Sequence, residues 1–578
     1  MLNFIHKLSN QKLIQPRFIP MSKEELSFLG WDLVDVLLIT GDAYVDHSSF
    51  GAALIGRCLI AAGYKVGIIS QPDWKDKNSL KILGTPKICC AITSGNMDSM
   101  LNIYTAGRRI RKEDAYSPGG IAGLRPPRAL SVYSNLAKGS FPGIPIIIGG
   151  IEGSMRRIAH YDYWKDEIMP SILTSTKADI LVYGMGEKAT INIVEKISSK
   201  NNLSKISGTA VLLGKKQSEE IISKLDADTY ILSSLAEVMS DKNKFIKSHL
   251  IAEENMNPFK DSTLIQLNGD RAVVIEKPEL PLTPEEMDFI YSLPFAGNQH
   301  PKYSEKIPAF EMIKDSITIV RGCPGGCAFC GLGFHQGKFT TSRSEDSVIN
   351  SLKDLSNSKA FKGTVSDLGG PTANTYGCKQ KDLSKCKICK RASCLYPVPC
   401  SNFEINESDF LSLLHNAEHI SKIKHTFINS GLRTDLAKKQ PNLMKEIILR
   451  HTSGHFKIAP EHLEDSVLKL MRKNKSEDFY DFIKIFDEIC TKFKKKQYIV
   501  PYFISNFPGC TEEKMKMVDN FLTSQRWNLE QVQDFIPLPM TIASAMYYAE
   551  MDINGTPIKV NKGLKERRPQ IKMLKKKR

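Results

Sequence analysis

Short, unbroken runs of branched apolar residues recur along this chain, and each is followed by a stretch with apolar side chains at helical spacing. In the first half the runs lie at 35–40 (DVLLIT), 66–70 (VGIIS), 88–93 (ICCAIT), 145–150 (PIIIGG) and 179–184 (DILVYG). A strand buried on both faces reads as such a run, and alternation with helices is the pattern of parallel strands joined by crossovers. The spacing predicts a doubly wound open α/β sheet over 30–200, preceded by an amino-terminal extension at 1–29. Ligands in that architecture sit at the carboxyl ends of the strands. The loop GDAYVDHSSFG after the first run therefore offers Asp42, Asp46 and His47 as a candidate substrate loop, with Asp46 beside His47 as a candidate acid–base pair. Residues 201–310 are more polar and predict a connecting region, ending in a Pro- and Gly-broken linker at 294–310.

The second half holds six more runs, at 316–320, 362–368, 425–429, 455–459, 498–504 and 532–537, again alternating with amphipathic stretches. Six β/α units fit a partial parallel barrel over 311–545, which would place its chemistry at the carboxyl ends of the strands. Ser342 and Glu345 have the spacing of a capping box before the first of these helices.

Composition narrows the function classes. Apolar residues make up 42% and charged residues 25% of the 578, which excludes wholesale disorder. No apolar run approaches the roughly 18–20 residues of a membrane span, and the start lacks the apolar core of a secretory signal. A cytoplasmic protein without membrane partners is expected. Of the net charge of +16, residues 562–578 carry nine Lys or Arg and one Glu, hence +8. This basic tail, over 546–578, is expected to be solvated and partly disordered. It also makes RNA a candidate partner, together with Arg108, Arg109 and Arg111.

Thirteen cysteines in a chain of this kind point to metal or redox chemistry rather than disulfides. Cys58, Cys89, Cys90, Cys490 and Cys510 stand among apolar neighbours and are expected to be core thiols. Cys323, Cys327 and Cys330 instead share one glycine-rich segment, RGCPGGCAFCGLGF, directly after the first run of the second half. Three thiolates can hold three irons of a [4Fe–4S] cluster and leave the fourth open to a substrate or cofactor, whereas structural sites are closed by four. A zinc knuckle or a bundle of buried thiols is the competing reading of the same residues.

With that segment in place the chain resembles the YgiQ-type radical SAM protein family. The resemblance is carried by GDAYVDHSSFG, GLRPPRA, GGIEGSMRRIAHYDYW, RGCPGGCAFC, SDLGGPTAN, FKIAPEH and VPYFISNFPG, and runs from about residue 16 to about residue 550. It implies a [4Fe–4S] cluster on Cys323, Cys327 and Cys330, and reductive cleavage of S-adenosylmethionine to start radical chemistry on an unknown substrate. A reductant such as flavodoxin or ferredoxin is also implied. Gly369 and Gly370 correspond to the turn whose backbone carbonyls hold the methionyl amine, with Pro371 where an acidic residue is usual. Ser430, Arg433 and Glu461, after the third and fourth barrel runs, are candidates for holding the ribose or carboxylate of the cofactor.

Five further cysteines, Cys378, Cys386, Cys389, Cys394 and Cys400, crowd an insertion at 376–402. A long insertion with little core of its own often needs a metal to order it. The family pattern implies Cys378, Cys389, Cys394 and Cys400 as a second site for zinc or an auxiliary iron–sulfur cluster, with Cys386 as an extra. The doubly wound first half also resembles cobalamin-binding domains. Histidine-ligated cobalamin needs Asp-x-His-x-x-Gly, and Asp46-His47-Ser-Ser-Phe-Gly51 departs from that spacing, which weighs against this cofactor without closing the question. A non-catalytic iron–sulfur electron carrier and an RNA-modifying protein are the alternative functions.

Overall fold

The computed structural model describes residues 2–9, 13–529 and 531–576. The chain forms two compact units: Met1–Lys244 with Ile251–Pro281 and Asp288–Lys314, and Asp315–Arg578 with Phe245–Leu250 and Leu282–Met287.

The first unit is built on a nine-stranded sheet. Five of its strands are parallel, in the spatial order Val66–Ser70, Val36–Thr40, Cys89–Thr93, Ile146–Gly149 and Ile180–Val182. All five come from the apolar runs read in the sequence, and Ile39 pairs in register with both Ile69 and Ile92 in a fully buried row. Because the first strand lies between the second and third, the winding reverses beside it, which is the topological switch point of doubly wound sheets.

The connecting region expected at 201–310 is corrected by the fold. Thr209–Leu212, Thr229–Leu232, Thr263–Asn268 and Arg271–Ile275 all join the same sheet, mostly by antiparallel pairing. Their apolar runs are short because several residues of Thr209–Leu212 and Thr229–Leu232 stay half-exposed, so they lack the continuous signature of doubly covered strands. The amino-terminal extension also belongs to this unit. Its helix Lys23–Phe28 starts with a capping box between Ser22 and Glu25, and Ile19 N–H donates to the Tyr44 hydroxyl at 3.0 Å.

In the second unit each of the six expected runs contributes a strand, and successive strands pair in parallel. Ser316–Thr318 pairs with Asp367–Gly369, Thr364–Val365 with His425–Thr426, and Leu432 bridges to Ile458. His455–Glu461 then pairs with Tyr498–Ser505, whose end pairs with Gln533–Asp534. This is an open (β/α)6 barrel.

Two local expectations shift. The cap of the helix Glu345–Asn357 is Ser344, whose hydroxyl accepts from Ser347 N–H at 3.2 Å. Ser342, two residues earlier, lies in the strand Thr341–Ser342 and accepts from Gly377 N–H at 2.9 Å. The basic tail is also ordered up to residue 576. Leu564–Lys575 is a helix that buries Arg567, Gln570 and Leu574, a spacing of three and four residues that puts them on one face. Arg567 pairs with Asp534 at 2.9 Å, and the Gln570 amide oxygen accepts from Asn506 N–H at 2.7 Å. The final two residues of that tail lie outside the described residues. Among the described residues no helix is long and apolar enough to cross a membrane.

Candidate metal centre

The strand Val320–Arg321 delivers the chain into the three-cysteine loop. Gly322 has φ of +80°, and a Cβ there would stand 2.0 Å from the Phe339 carbonyl oxygen, so only glycine lets the loop begin this close to its return strand. Cys323 N–H donates to the Gly337 carbonyl at 3.0 Å and Cys330 N–H to the Cys327 carbonyl at 3.1 Å, which folds the loop back on itself. Ala328 fastens it from both sides, donating to the Met471 carbonyl and accepting from Ala543 N–H, each at 2.9 Å. Burial pushes the Cys330 thiol up to about 12 and raises that of Cys323, where the Arg433 guanidinium pulls the other way. Such thiols lose their protons on metal binding rather than in the free protein.

Arg433 is buried, and it does not present an open fork. Its Nε donates to Asp435 at 3.0 Å and an Nη bonds the same carboxylate, while the other Nη faces Gly325, where a Cβ would meet it at 2.0 Å. Of the edges Arg433 could offer cofactor oxygens, Asp435 occupies one, and the remaining nitrogen lies against the cysteine loop. Asn374, which sequence reasoning passed over, fixes this arginine by exchanging both backbone bonds of residue 433, at 2.9 and 3.0 Å.

Gly369 and Gly370 end the second strand as expected, and packing alone already requires both. A Cβ on Gly369 would lie 2.0 Å from the Ser430 hydroxyl, and one on Gly370 would lie 2.4 Å from the Val320 carbonyl. The Gly369 carbonyl accepts a ladder bond from Ile319 N–H at 2.8 Å, so of its two lone pairs one is already engaged. Ser430 is drawn to the same turn. Its hydroxyl accepts from Gly370 N–H at 3.3 Å and donates to Asp367. Asp367 also accepts from the Asn429 and Ser430 N–H groups, at 2.8 and 2.9 Å, and so latches the second strand end to the third. The Ser-Asp-Leu-Gly-Gly stretch carries this aspartate in plain view, but its role depends on a residue more than sixty positions away.

Glu461 ends the fourth strand after a bulge, with φ of +67°, a left-handed conformation that a glutamate rarely adopts. Its side chain is buried and Oε2 has no hydrogen-bond partner. Burial pushes its carboxyl up to about 7, against the opposing pull of Lys473 and Arg433. The three-thiol loop, this unsatisfied buried oxygen and the strained backbone beneath it all belong to the second unit, at the carboxyl ends of its strands.

The region matches the Radical SAM superfamily model over residues 317–522, and the Radical SAM N-terminal model covers 18–316. The chain is 41% identical to the UPF0313 protein RPA0679 of Rhodopseudomonas palustris, over 95% of this chain and 85% of that one. It is 42% identical to a UPF0313 protein of Methanocella arvoryzae, over 95% and 91%. The chain belongs to the UPF0313 family. It is accordingly a radical SAM enzyme, of a class that uses a [4Fe–4S] cluster and S-adenosylmethionine. Among solved structures it is similar to the radical S-adenosylmethionine methyltransferase TsrM of Kitasatospora setae, with a TM-score of 0.46, 12% identity and coverage of 88% of this chain and 74% of that one. It is similar also to the cobalamin-dependent radical enzyme OxsB, with a TM-score of 0.48, 11% identity and coverage of 92% and 58%.

The first unit's candidate loop looks different. Asp46 is fully buried, pairs with the equally buried Arg57, and accepts from Ala296 N–H at 2.8 Å. An acid–base role for Asp46 beside His47 is thereby corrected, since its charge is neutralised and its oxygens are occupied. Asp42 pairs with Arg125 at 2.7 Å and accepts from Asn96 N–H at 2.6 Å, which stitches the first strand's loop to that of the third across the switch point. His47 is half-buried, its Nδ1 accepts from Ser49 N–H at 3.1 Å, and burial lowers its pKa to about 4.

In the insertion, Cys378 and Cys394 share one core cluster with Leu395, Phe403 and Leu436, Cys400 packs against it, and Cys386 Sγ accepts from the Asn402 side chain at 3.4 Å. Cys378 Sγ also accepts from Asn406 N–H at 3.4 Å. Cys58, Cys89, Cys90 and Cys510 are buried as expected, and Cys490 is half-buried.

Proposed function

We propose that Cys323, Cys327 and Cys330 hold a [4Fe–4S] cluster at which S-adenosylmethionine is reductively cleaved to begin radical chemistry on a further substrate. The observation that carries this reading is a glycine-wrapped loop with three half-buried cysteines beside a buried carboxyl, Glu461, that has one oxygen without a partner. When bound, the cluster supplies the single electron that breaks the cofactor's sulfonium bond.

The chain's own residues divide the remaining work. The loop bonds at Gly322, Cys323 and Ala328 hold the three thiols in place. Gly370 and Ser430, anchored by Asp367, form one wall for the methionyl end of the cofactor. Glu461 is poised near neutral pH to accept a hydrogen bond from a ribose hydroxyl or donate one to an oxygen. Arg433 keeps one guanidinium nitrogen against the cysteine loop, where it offsets thiolate charge. A reductant such as flavodoxin or ferredoxin supplies the electron, in the cytoplasm. RNA as a partner would rest on exposed Arg108, Arg109 and Arg111, because part of the tail's charge is folded inwards.

Anaerobically reconstituted protein, reduced and examined by electron paramagnetic resonance, is expected to change its spectrum on addition of S-adenosylmethionine and to release 5′-deoxyadenosine. Cys327→Ala should lose both responses. An unchanged spectrum with no nucleoside released would leave an electron carrier as the function.

A further inference from the structure

Two neighbouring helices of the second unit bring a different group of metal-ligating side chains together. Glu418 is the last residue of the helix Ser408–Glu418, Glu446 lies in the helix Pro441–Arg450, and His451 follows that helix directly. In an alternating β/α barrel the helices run back towards the amino ends of the strands, so this group sits at the opposite end from the three-cysteine loop. One oxygen or nitrogen from each of the three residues lies within 4.8 Å of the other two.

His451 is buried and held in one orientation. Its N–H donates to the Ile447 carbonyl at 3.0 Å, its carbonyl accepts from Ile428 N–H at 2.9 Å, and its Nδ1 lies 2.8 Å from the Thr426 carbonyl. A carbonyl oxygen only accepts, so Nδ1 carries a proton and Nε2 is the nitrogen left to act. Nε2 is buried without a hydrogen-bond partner. It faces Glu418 Oε1 at 3.7 Å and Glu446 Oε1 at 3.6 Å, both too long for hydrogen bonds. An imidazole steered by an Nδ1–H···O=C bond, with its other nitrogen aimed at acidic oxygens, is set as metal-bound histidine is. A lone pair on Nε2 and the two carboxylates would repel one another, and an ion between them removes the repulsion. The spacing suits one: two ligands of a tetrahedral zinc with bonds of about 2.1 Å stand about 3.4 Å apart.

Arg450 supplies the competing reading, an ion-pair network without metal. It bonds Glu418 and lies 3.4 Å from Glu446. Its side chain is 54% exposed, however, and it takes Glu418 through Oε2 rather than through the Oε1 that faces His451. Two carboxylates against one guanidinium still leave negative charge beside Nε2, and the dipole of the helix ending at Glu418 adds to it. We propose that Glu418, Glu446 and His451 bind a divalent ion of the zinc type, with Arg450 displaced towards solvent and water as a fourth ligand, and that the ion staples the two helix ends. The imidazole selects such an ion over Mg²⁺ or Ca²⁺, which prefer oxygen ligands alone. No cysteine takes part, so the site is independent of the cluster reading above.

The test is zinc retention by the full chain after equilibrium dialysis against Zn²⁺, read as the difference between native protein and variants so that zinc held by cysteines cancels. Glu446→Gln and Glu418→Gln, whose side chains reach the surface, should each hold one zinc fewer than the native chain, or bind it at least about tenfold more weakly. His451→Gln should do the same; if it fails to fold, the two glutamate variants decide the point. Arg450→Gln should bind the ion several-fold more tightly, since the competing cation is gone. Zinc should raise the melting temperature of the native chain more than that of Glu446→Gln. Equal zinc in the native chain and the glutamate variants overturns the site and leaves an ion-pair network around Arg450. Weaker binding by Arg450→Gln overturns the competition, and equal melting shifts overturn the staple. With Co²⁺ in place of zinc, the native-minus-Glu446→Gln difference spectrum should lack sulfur-to-cobalt charge transfer; its presence puts the ion on cysteines and overturns the ligand set.

Discussion

Both units bury acidic side chains at or just beyond the carboxyl ends of parallel strands, yet they treat those acids in opposite ways. In the first unit Asp46 meets Arg57 with neither side chain exposed, and Asp42 meets Arg125 while also accepting a backbone N–H. In the second unit Glu461 has cations only at a distance and one oxygen with no partner at all. A closed pair holds loops together, whereas an acid left open in a buried place is costly to the fold and persists where something else comes to satisfy it. The loops at the first unit's switch point are fastened to each other; those of the second are fastened around a gap in hydrogen bonding.

The largest effect expected from this contrast comes from opening a closed pair. Arg57→Met leaves Asp46 charged and fully buried, which should lower the stability of the first unit by about 3–5 kcal/mol. Thermal melts of the full chain would show it as an earlier transition. The spectral response to S-adenosylmethionine per folded molecule should not change. A variant as stable as the native chain would mean that Asp46 finds another partner, and the candidate substrate loop would reopen as a question of function.

How far the sequence announces these features depends on how local their causes are. The five parallel strands of the first unit and the six of the barrel are legible because burial on both faces writes itself as continuous apolar runs. Thr209–Leu212 and Thr229–Leu232 are not, since partly exposed strands carry a weaker pattern. The three-cysteine loop is legible from spacing and glycines alone. The state of Arg433 is hidden, because its partner Asp435 is ordinary in sequence and only the fold shows which edge of the guanidinium is taken.

A smaller effect is expected at the tail, which looks like the most dispensable part of the sequence and is not. Deleting 562–578 removes the Arg567–Asp534 pair and the Gln570 bonds to Asn506 and Cys510, and should destabilise the second unit by about 3 kcal/mol. Truncation is therefore a poor test of RNA binding. Lys572→Glu/Lys575→Glu reverses exposed charge on the same helix and should leave the melting temperature nearly unchanged. If truncation also leaves it unchanged, the helix is an appendage and the buried Arg567 contributes nothing measurable.

The most informative of the smaller effects is at Glu461, because there the sign distinguishes an open acid from a closed one. Its carboxyl is pushed from 4.5 to about 7 by burial, so the folded protein binds the proton more tightly than the unfolded chain does. Stability from this group is complete below pH about 4.5 and falls as the pH rises towards 7, beyond which the loss is constant. The shift sets a ceiling of about 3 kcal/mol, and about 2 kcal/mol is expected once the buried site relaxes. Glu461→Gln, measured on metal-free protein, should accordingly be more stable than the native chain at pH 8 and equal to it at pH 4. Asp46→Asn should instead destabilise the chain, because it abolishes a formed, buried ion pair. The same Glu461→Gln change should weaken the response of the reconstituted protein to S-adenosylmethionine, since the amide cannot reproduce a carboxylate's two acceptors. Gain of stability together with loss of cofactor response is the signature of a residue kept for its site; a variant that loses stability at pH 8 would show that Glu461 is held by the fold after all.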